Sequence, residues 1–199
     1  GPAHAPPFQF DTFTDTDGTL ITSHTGEIGA TWTVQNGYAP ATAPTIASNG
    51  LYASVVPAAY YASGVPASAN YCVESVLNFR SSVASDTTGP AGRITIGANT
   101  MYFCRYNVAA GGWQLQKLVT GTITQLGSTV TEAFPTGQIR TLGLLMVGDT
   151  ITMRLDDADI LVRTDSAITD AGRAGFRIAG AAESSTTGIH IAAISARAA

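Results

Sequence analysis

Residues 138–165 read QIRTLGLLMVGDTITMRLDDADILVRTD, and the way their apolar residues recur decides the fold. They alternate with polar residues instead of returning at helical spacing. Ile151, Met153 and Leu155 alternate with Thr150, Thr152 and Arg154, the pattern of a strand with one dry face. Gly148-Asp149 is a two-residue hairpin signal, because glycine tolerates the positive φ such turns require. That turn predicts Val147 opposite Thr150, Met146 opposite Ile151, Leu144 opposite Met153 and Leu142 opposite Leu155. A second two-residue turn at Asp157-Ala158 predicts Leu155 opposite Ile160 and Met153 opposite Val162. One face of this meander then collects Leu142, Leu144, Met146, Ile151, Met153, Leu155, Ile160 and Val162. Thr152, Arg154, Leu161 and Arg163 fall on the other, away from the core. A slip of one residue would invert the separation.

The rest of the chain reads the same way. Phe8 and Phe10 begin a strand that runs into Asp15-Thr16-Asp17-Gly18. Residues 28–36 carry Trp32 and Val34 and end at Asn36-Gly37. Short strands are expected near 45–47 and 51–56, with proline-rich loops around them and a further loop from Pro57 to Pro66. Tyr71–Arg80 is a long strand with Tyr71, Val73, Leu77 and Phe79 on its core face. Strands follow at 93–97 and 101–107, then at 113–119 and 122–126 across a Thr120-Gly121 turn, and finally at 175–179 and 188–197. The expectation is an all-β, two-sheet antiparallel sandwich of about a dozen strands in one domain, residues 8–199, after a leader of residues 1–7. Gly1-Pro2 resembles the pair that a 3C-type protease leaves after tag removal.

At 199 residues such a domain buries roughly 70% of its unfolded surface, so it needs neither disulfide nor metal to hold its core. Cys72 and Cys104 each lie in a strand pattern and read as buried free thiols. The chain carries net charge −4, with one lysine, Lys117, and arginines scattered singly. A nucleic-acid partner needs clustered basic residues, and a membrane partner needs an apolar run of about 20 residues; the sequence has neither.

Several of these signals together resemble the concanavalin A-like lectin/glucanase jelly rolls, especially their laminin-G-like relatives. Asp11-x-Phe13, Asp17-Gly18 and Trp32 resemble the opening of such domains in phage tail proteins and secreted bacterial proteins. Tyr71–Phe79 resembles their long second-sheet strand. The 92–106 and 113–121 segments resemble two of their hairpins, and Leu142–Asp165 followed by Gly175-Phe176 resembles their tail. The resemblance implies a jelly roll, an extracellular or virion-associated setting, and a glycan on a bacterial cell surface as partner. It also raises calcium as a ligand near the start of the domain. Two departures stand out: Ala158 replaces the usual glycine of the last hairpin, and the last strand lacks an aspartate that relatives place beside calcium.

The chemistry-bearing residues are few. Retaining glucanases of that superfamily set three carboxylates on one strand face as E-x-D-x-E, two of them about 5 Å apart. No such triplet occurs, and of the four glutamates only Glu74 sits mid-strand. The chain therefore reads as a non-enzyme. Asp15 and Asp17 are the candidate metal ligands, with a plain turn as the competing reading. Asp156, Asp157 and Asp159 read as turn formers. Sugars present apolar C–H faces and hydroxyls, so a lectin site pairs aromatics with polar groups. The candidates are Trp113, Tyr102, Arg105, Tyr106, Tyr60, Tyr61 and Glu74, with core packing as the alternative for the aromatics. Alternation sets Tyr102 and Tyr106 on the side opposite Arg105, so these three cannot share one sheet face. The sequence leaves three functions open, in this order: a glycan-recognition module, a structural or oligomerisation domain of a virion or surface protein, and a glycoside hydrolase.

Overall fold

The computed structural model describes residues 4–199, so the reading of Gly1-Pro2 lies outside the described residues. In chain order the strands are β1 (Pro7–Asp11), β2 (Trp32–Val34), β3 (Thr45–Ala47), β4 (Gly50–Tyr52), β5 (Ala58–Ala62), β6 (Tyr71–Phe79), β7 (Thr87–Ile94) and β8 (Met101–Asn107). They continue as β9 (Gly112–Val119), β10 (Thr122–Gln125), β11 (Val130–Thr131), β12 (Ile139–Val147), β13 (Thr150–Leu155), β14 (Ala158–Thr164), β15 (Arg173–Ala179) and β16 (Ile189–Ala198). All sheet pairings are antiparallel. One sheet runs β14-β13-β12-β6-β16-β4-β3, with β1 beside β16; the other runs β10-β9-β8-β7-β15-β5-β2, with β11 beside β9. The fold is a two-sheet jelly-roll sandwich. Among the described residues the helical content is a single turn, Ile21–Ser23, and no helix is long and apolar enough to cross a membrane.

The predicted β12–β13 register holds at every pair, from Val147 opposite Thr150 to Leu142 opposite Leu155. The next hairpin differs from its prediction. Its turn is Asp156-Asp157, both at positive φ, so Leu155 pairs with Ala158 and not with Ile160. A bulge between Met153 and Arg154 absorbs one residue and sets Met153 opposite Leu161. Leu161 consequently packs on the core while Val162 is exposed. Arg163 pairs with Ile151 and shares its side, reaching Gly127 at the sandwich edge; its predicted outward orientation is wrong. Two aspartates tolerate the turn angles that the missing glycine would have supplied.

Two strands were misread for one reason, turn-type residues inside a ladder. The Pro57–Pro66 segment contains β5, an inner strand between β15 and β2. The strand expected at 93–97 is β7, which starts at Thr87 and contains Gly89 and Pro90. Pairing with β8 covers Thr87-Thr88 and Ala91-Gly92 and skips Gly89-Pro90, which is how a residue lacking an N–H sits in a central strand. Both cysteines are free and buried.

The core between the sheets draws Tyr71, Val73, Leu77 and Phe79 from β6, Leu142, Leu144 and Met146 from β12, and Phe176 and Ile178 from β15. At one end a carboxyl pair is sealed in. Glu183 accepts the Ala53 and Ile189 amides at 2.9 and 2.8 Å, and Asp86 also accepts Ile189 at 3.1 Å. Burial pushes the Asp86 carboxyl up to about 6, and burial with the Asp86 charge beside it pushes Glu183 well above the ordinary range. Acids whose folded pKa lies above the unfolded one stabilise fully below the unfolded pKa near 4 and lose that contribution as pH rises through about 6. Glu183→Gln keeps an acceptor for Ala53, leaves the Ile189 amide to Asp86 Oδ2 and removes the second ionisable carboxyl. At pH 8 this variant is expected to be more stable than the parent by about 1–3 kcal/mol, and its stability between pH 5 and 8 to be flatter. Urea melts across that range check it; an unchanged slope would refute the assignment.

Candidate functional site

Alternation along β8 and β9 divides their side chains between the core and the outer face of the second sheet. Tyr102, Cys104 and Tyr106 point inward with Trp113 and Leu115, whereas Phe103, Arg105 and Asn107 point outward with Gln114 and Gln116. Register carries the outer side chains across the sheet in rows. One row runs Gln116, Phe103, Ala91, Gly175, Tyr61, Thr33. The row beside it runs Gln114, Arg105, Gly89, Arg177, Ala59, and the Gln35 amide closes onto the Ala59 carbonyl.

Gly89 and Gly175 keep the middle of these rows bare. A Cβ at Gly89 would stand 2.0 Å from the Cys104 carbonyl oxygen, and one at Gly175 2.0 Å from that of Tyr60. No side chain fits either backbone. Between walls formed by Phe103, Arg105, Gln114 and Gln116 on one flank and by Tyr61, Tyr38 and Gln35 on the other, the rows hold only backbone, small residues and the Arg177 side chain.

The walls are polar, yet withdrawn from water. Gln114, Gln116 and Arg177 are 5%, 2% and 8% exposed, although no strand of the described chain lies over this face. Arg105 Nε and Asn107 Nδ2 both donate to Gln114 Oε1 at 3.0 Å, and Gln114 Nε2 donates to Thr129 at 3.0 Å. The Arg177 guanidinium carbon lies 5.0 Å from the Phe103 ring centre and 5.3 Å from that of Tyr38. Its Nε has no partner, and neither has either amide atom of Gln35. The face thus sets fixed polar groups beside the aromatic rings of Phe103, Tyr38 and Tyr61, the mixture of surfaces that polar ligands use.

The sequence-predicted residues scatter. Arg105 and Tyr61 lie on this face. Trp113, Tyr102, Tyr106 and Tyr60 lie in the inter-sheet core, at most 3% exposed, which corrects their reading as ligand residues. Their polar tips have internal partners: Tyr102 donates to Asp165 at 2.6 Å, Tyr106 to the Glu132 carbonyl at 2.7 Å, and Trp113 Nε1 to Glu132 at 2.6 Å. Tyr60 stacks on Phe176. Glu74 lies on the outer face of the other sheet, in a depression shared with His4, Arg154 and Arg197, and cannot act with Arg105 or Tyr61. Asp15 and Asp17 do not converge either. Asp15 binds His24 at 2.8 Å and the Thr16 amide, while Asp17 accepts the Ser48 amide at 2.8 Å, so each carboxylate has a structural partner. The Asp15 carboxyl is held below its usual range by the His24 hydrogen bond.

Phe103, Gln114, Gln116, Arg177, Gln35 and Tyr38 were missed. Five of them sit in strands that the sequence had marked out, on the parity opposite the conspicuous aromatics. The signal was the outward set Phe103-x-Arg105-x-Asn107 facing Gln114-x-Gln116.

No protein-family model matches the chain, and no curated protein sequence matches it either. Solved structures do. The carbohydrate-binding module CBM66 from Bacillus subtilis superposes with a TM-score of 0.58 at 15% identity, over 84% of this chain and 92% of its own. A galectin from Caenorhabditis elegans gives 0.52 at 14% identity, over 76% and 98%. A non-specific endo-beta-1,3(4)-glucanase of family GH16 gives 0.63 at 12% identity, over 98% and 91%. At such identities the likeness concerns the fold, and the fold is the concanavalin A-like jelly roll of lectins and glucanases.

Proposed function

We propose that the chain is a non-catalytic carbohydrate-recognition domain whose ligand lies on the outer face of the second sheet. The observation that carries this reading is the gathering of Phe103, Tyr61 and Tyr38 with the polar side chains of Arg105, Arg177, Gln114 and Gln116 on one sheet face. Saccharides need that mixture, aromatic surface for C–H faces and fixed hydrogen-bonding groups for hydroxyls. The non-catalytic part rests on charge: the outward positions of β7, β8, β9 and β15 include no aspartate or glutamate, and a retaining glycosidase needs two carboxylates about 5 Å apart. A bacterial cell-surface glycan and an extracellular or virion-associated setting are supported by the sequence resemblance to phage tail and secreted bacterial domains.

Tyr61→Ala and Gln114→Ala are each expected to weaken glycan binding about tenfold, the loss of roughly 1.4 kcal/mol of contact; Tyr61→Ala should change the melting temperature little, whereas Gln114→Ala should lower it by stranding the Arg105 and Asn107 donors. A glycan array followed by calorimetry on the best hit measures this. No glycan binding, together with a stable oligomer by light scattering, would replace this reading with that of a structural domain.

A further inference from the structure

We propose that the saccharide is an acidic one, whose carboxylate or sulfate group is held by Arg105 and Arg177. This rests on the reading of the outer face as a sugar site and adds the chemical class of its ligand. The two arginines flank Gly89: Arg177 is its register partner on β15, and a Cβ at Gly89 would touch the Arg105 backbone on β8. Both guanidinium carbons lie against the same ring, 5.0 and 5.7 Å from the centre of Phe103. Two like charges so placed would ordinarily be balanced by a carboxylate. Among the described residues the ion pairs of arginine involve Arg140 and Arg154, and neither Arg105 nor Arg177 takes part in one.

The pair is uncompensated in a chain of net charge −4, where carboxylates outnumber cations. Burial lowers the Arg105 pKa to about 10, and repulsion from Arg177 adds to it, so Arg105 stays charged at neutral pH with the Arg177 guanidinium opposing it. An anion within reach of the terminal nitrogens of both relieves that repulsion. A neutral sugar would satisfy hydroxyl-scale hydrogen bonds and leave the repulsion in place. Phe103 and Tyr38 stack on the guanidiniums and hold their planes, leaving N–H edges to the ligand. Gln114 anchors Arg105 through Nε, which leaves its terminal nitrogens for the anionic group.

Calorimetry at low salt with three probes of matched length tests this: an oligogalacturonate for the carboxylate, a carrageenan oligosaccharide for the sulfate, and a laminari-oligosaccharide as neutral control. One acidic probe is expected to bind at least tenfold more tightly than the neutral one, with affinity that falls as salt rises. Arg105→Gln is expected to cost that probe tenfold or more and to abolish its advantage over the neutral probe. Arg177→Gln should do the same; since Arg177 is buried, Arg105→Gln and the shift of the Arg177 Nε–H NMR resonance in the parent protein carry the test if that variant does not fold. Equal binding of acidic and neutral probes, insensitive to Arg105→Gln, would overturn the acidic class and leave the sugar site standing. Acidic binding that survives both substitutions would place the charge recognition elsewhere and equally overturn it. Binding of no probe would remove both.

Discussion

Replacing Asp11 by alanine is expected to destabilise the protein by about 3–5 kcal/mol, because it strands several donors in a dry core. Asp11 ends β1 and has no exposed surface. Its Oδ1 accepts the Phe13 amide at 2.7 Å and His24 Nε2 at 2.9 Å, and its Oδ2 accepts Trp32 Nε1 at 2.7 Å. One carboxylate thus ties β1, the loop after it and β2 together. Both nitrogens of His24 meet carboxylates, Asp11 and Asp15, which suits an imidazolium donating at each. Burial by itself would lower the His24 pKa, but the hydrogen bonds with Asp15 and Asp11 outweigh it and the net shift is upward. A base with a raised folded pKa stabilises fully below its unfolded value near 6.5 and loses that contribution as pH rises through the folded one. Asp11→Asn, which keeps the shape but not the charge, is expected to cost less than Asp11→Ala and to remove this part of the pH dependence. Urea unfolding at pH 6 and 8 reads both effects. A loss under 1 kcal/mol for Asp11→Ala would mean that water replaces the carboxylate.

Asp11, Phe13 and Trp32 entered the sequence argument as marks of a domain opening, and the structure gives them a reason. Trp32 stacks on Phe13 at 6.0 Å while its indole N–H reaches Asp11, so the motif is a built joint, with His24 as its unforeseen fourth member. Alternation exposed the sandwich because each strand buries one face, and a wrong register would expose its apolar set. It failed where polar or turn-type residues occupy inner strands. Gly89, Pro90 and Gly175 are sheet residues here, and in one dimension such residues look like turns. The site was half legible for a related reason. Arg105 and Tyr61 were visible as single residues, but Arg177 lies 72 positions beyond Arg105, and only the β7 bridge between their strands makes them neighbours. Conspicuous aromatics drew attention to the inward parity, where a β-sandwich this size keeps its largest rings.

Trp113 separates those two parities by experiment. Trp113→Ala is expected to lower stability by about 3–5 kcal/mol, since the indole is fully buried and meets the rings of Tyr106 at 5.0 Å and Phe79 at 5.7 Å, both edge to face. The loss combines a cavity with an orphaned acceptor: Glu132, which receives the indole N–H, also pairs with Arg140, and the Arg140 guanidinium lies 5.6 Å from the indole ring centre. Trp113→Phe keeps most of the packing and loses the hydrogen bond, at a cost of about 1–3 kcal/mol. Gln114, the next residue, points to the opposite face of the sheet. Folded Trp113→Phe should therefore bind the glycan with unchanged affinity while Gln114→Ala binds it about tenfold more weakly, although the two positions are adjacent in the chain. Denaturant melts and calorimetry on the two single variants are sufficient. Lost binding in well-folded Trp113→Phe would move the site from the outer face of the sheet to the end of the sandwich where Trp113, Glu132 and Arg140 meet.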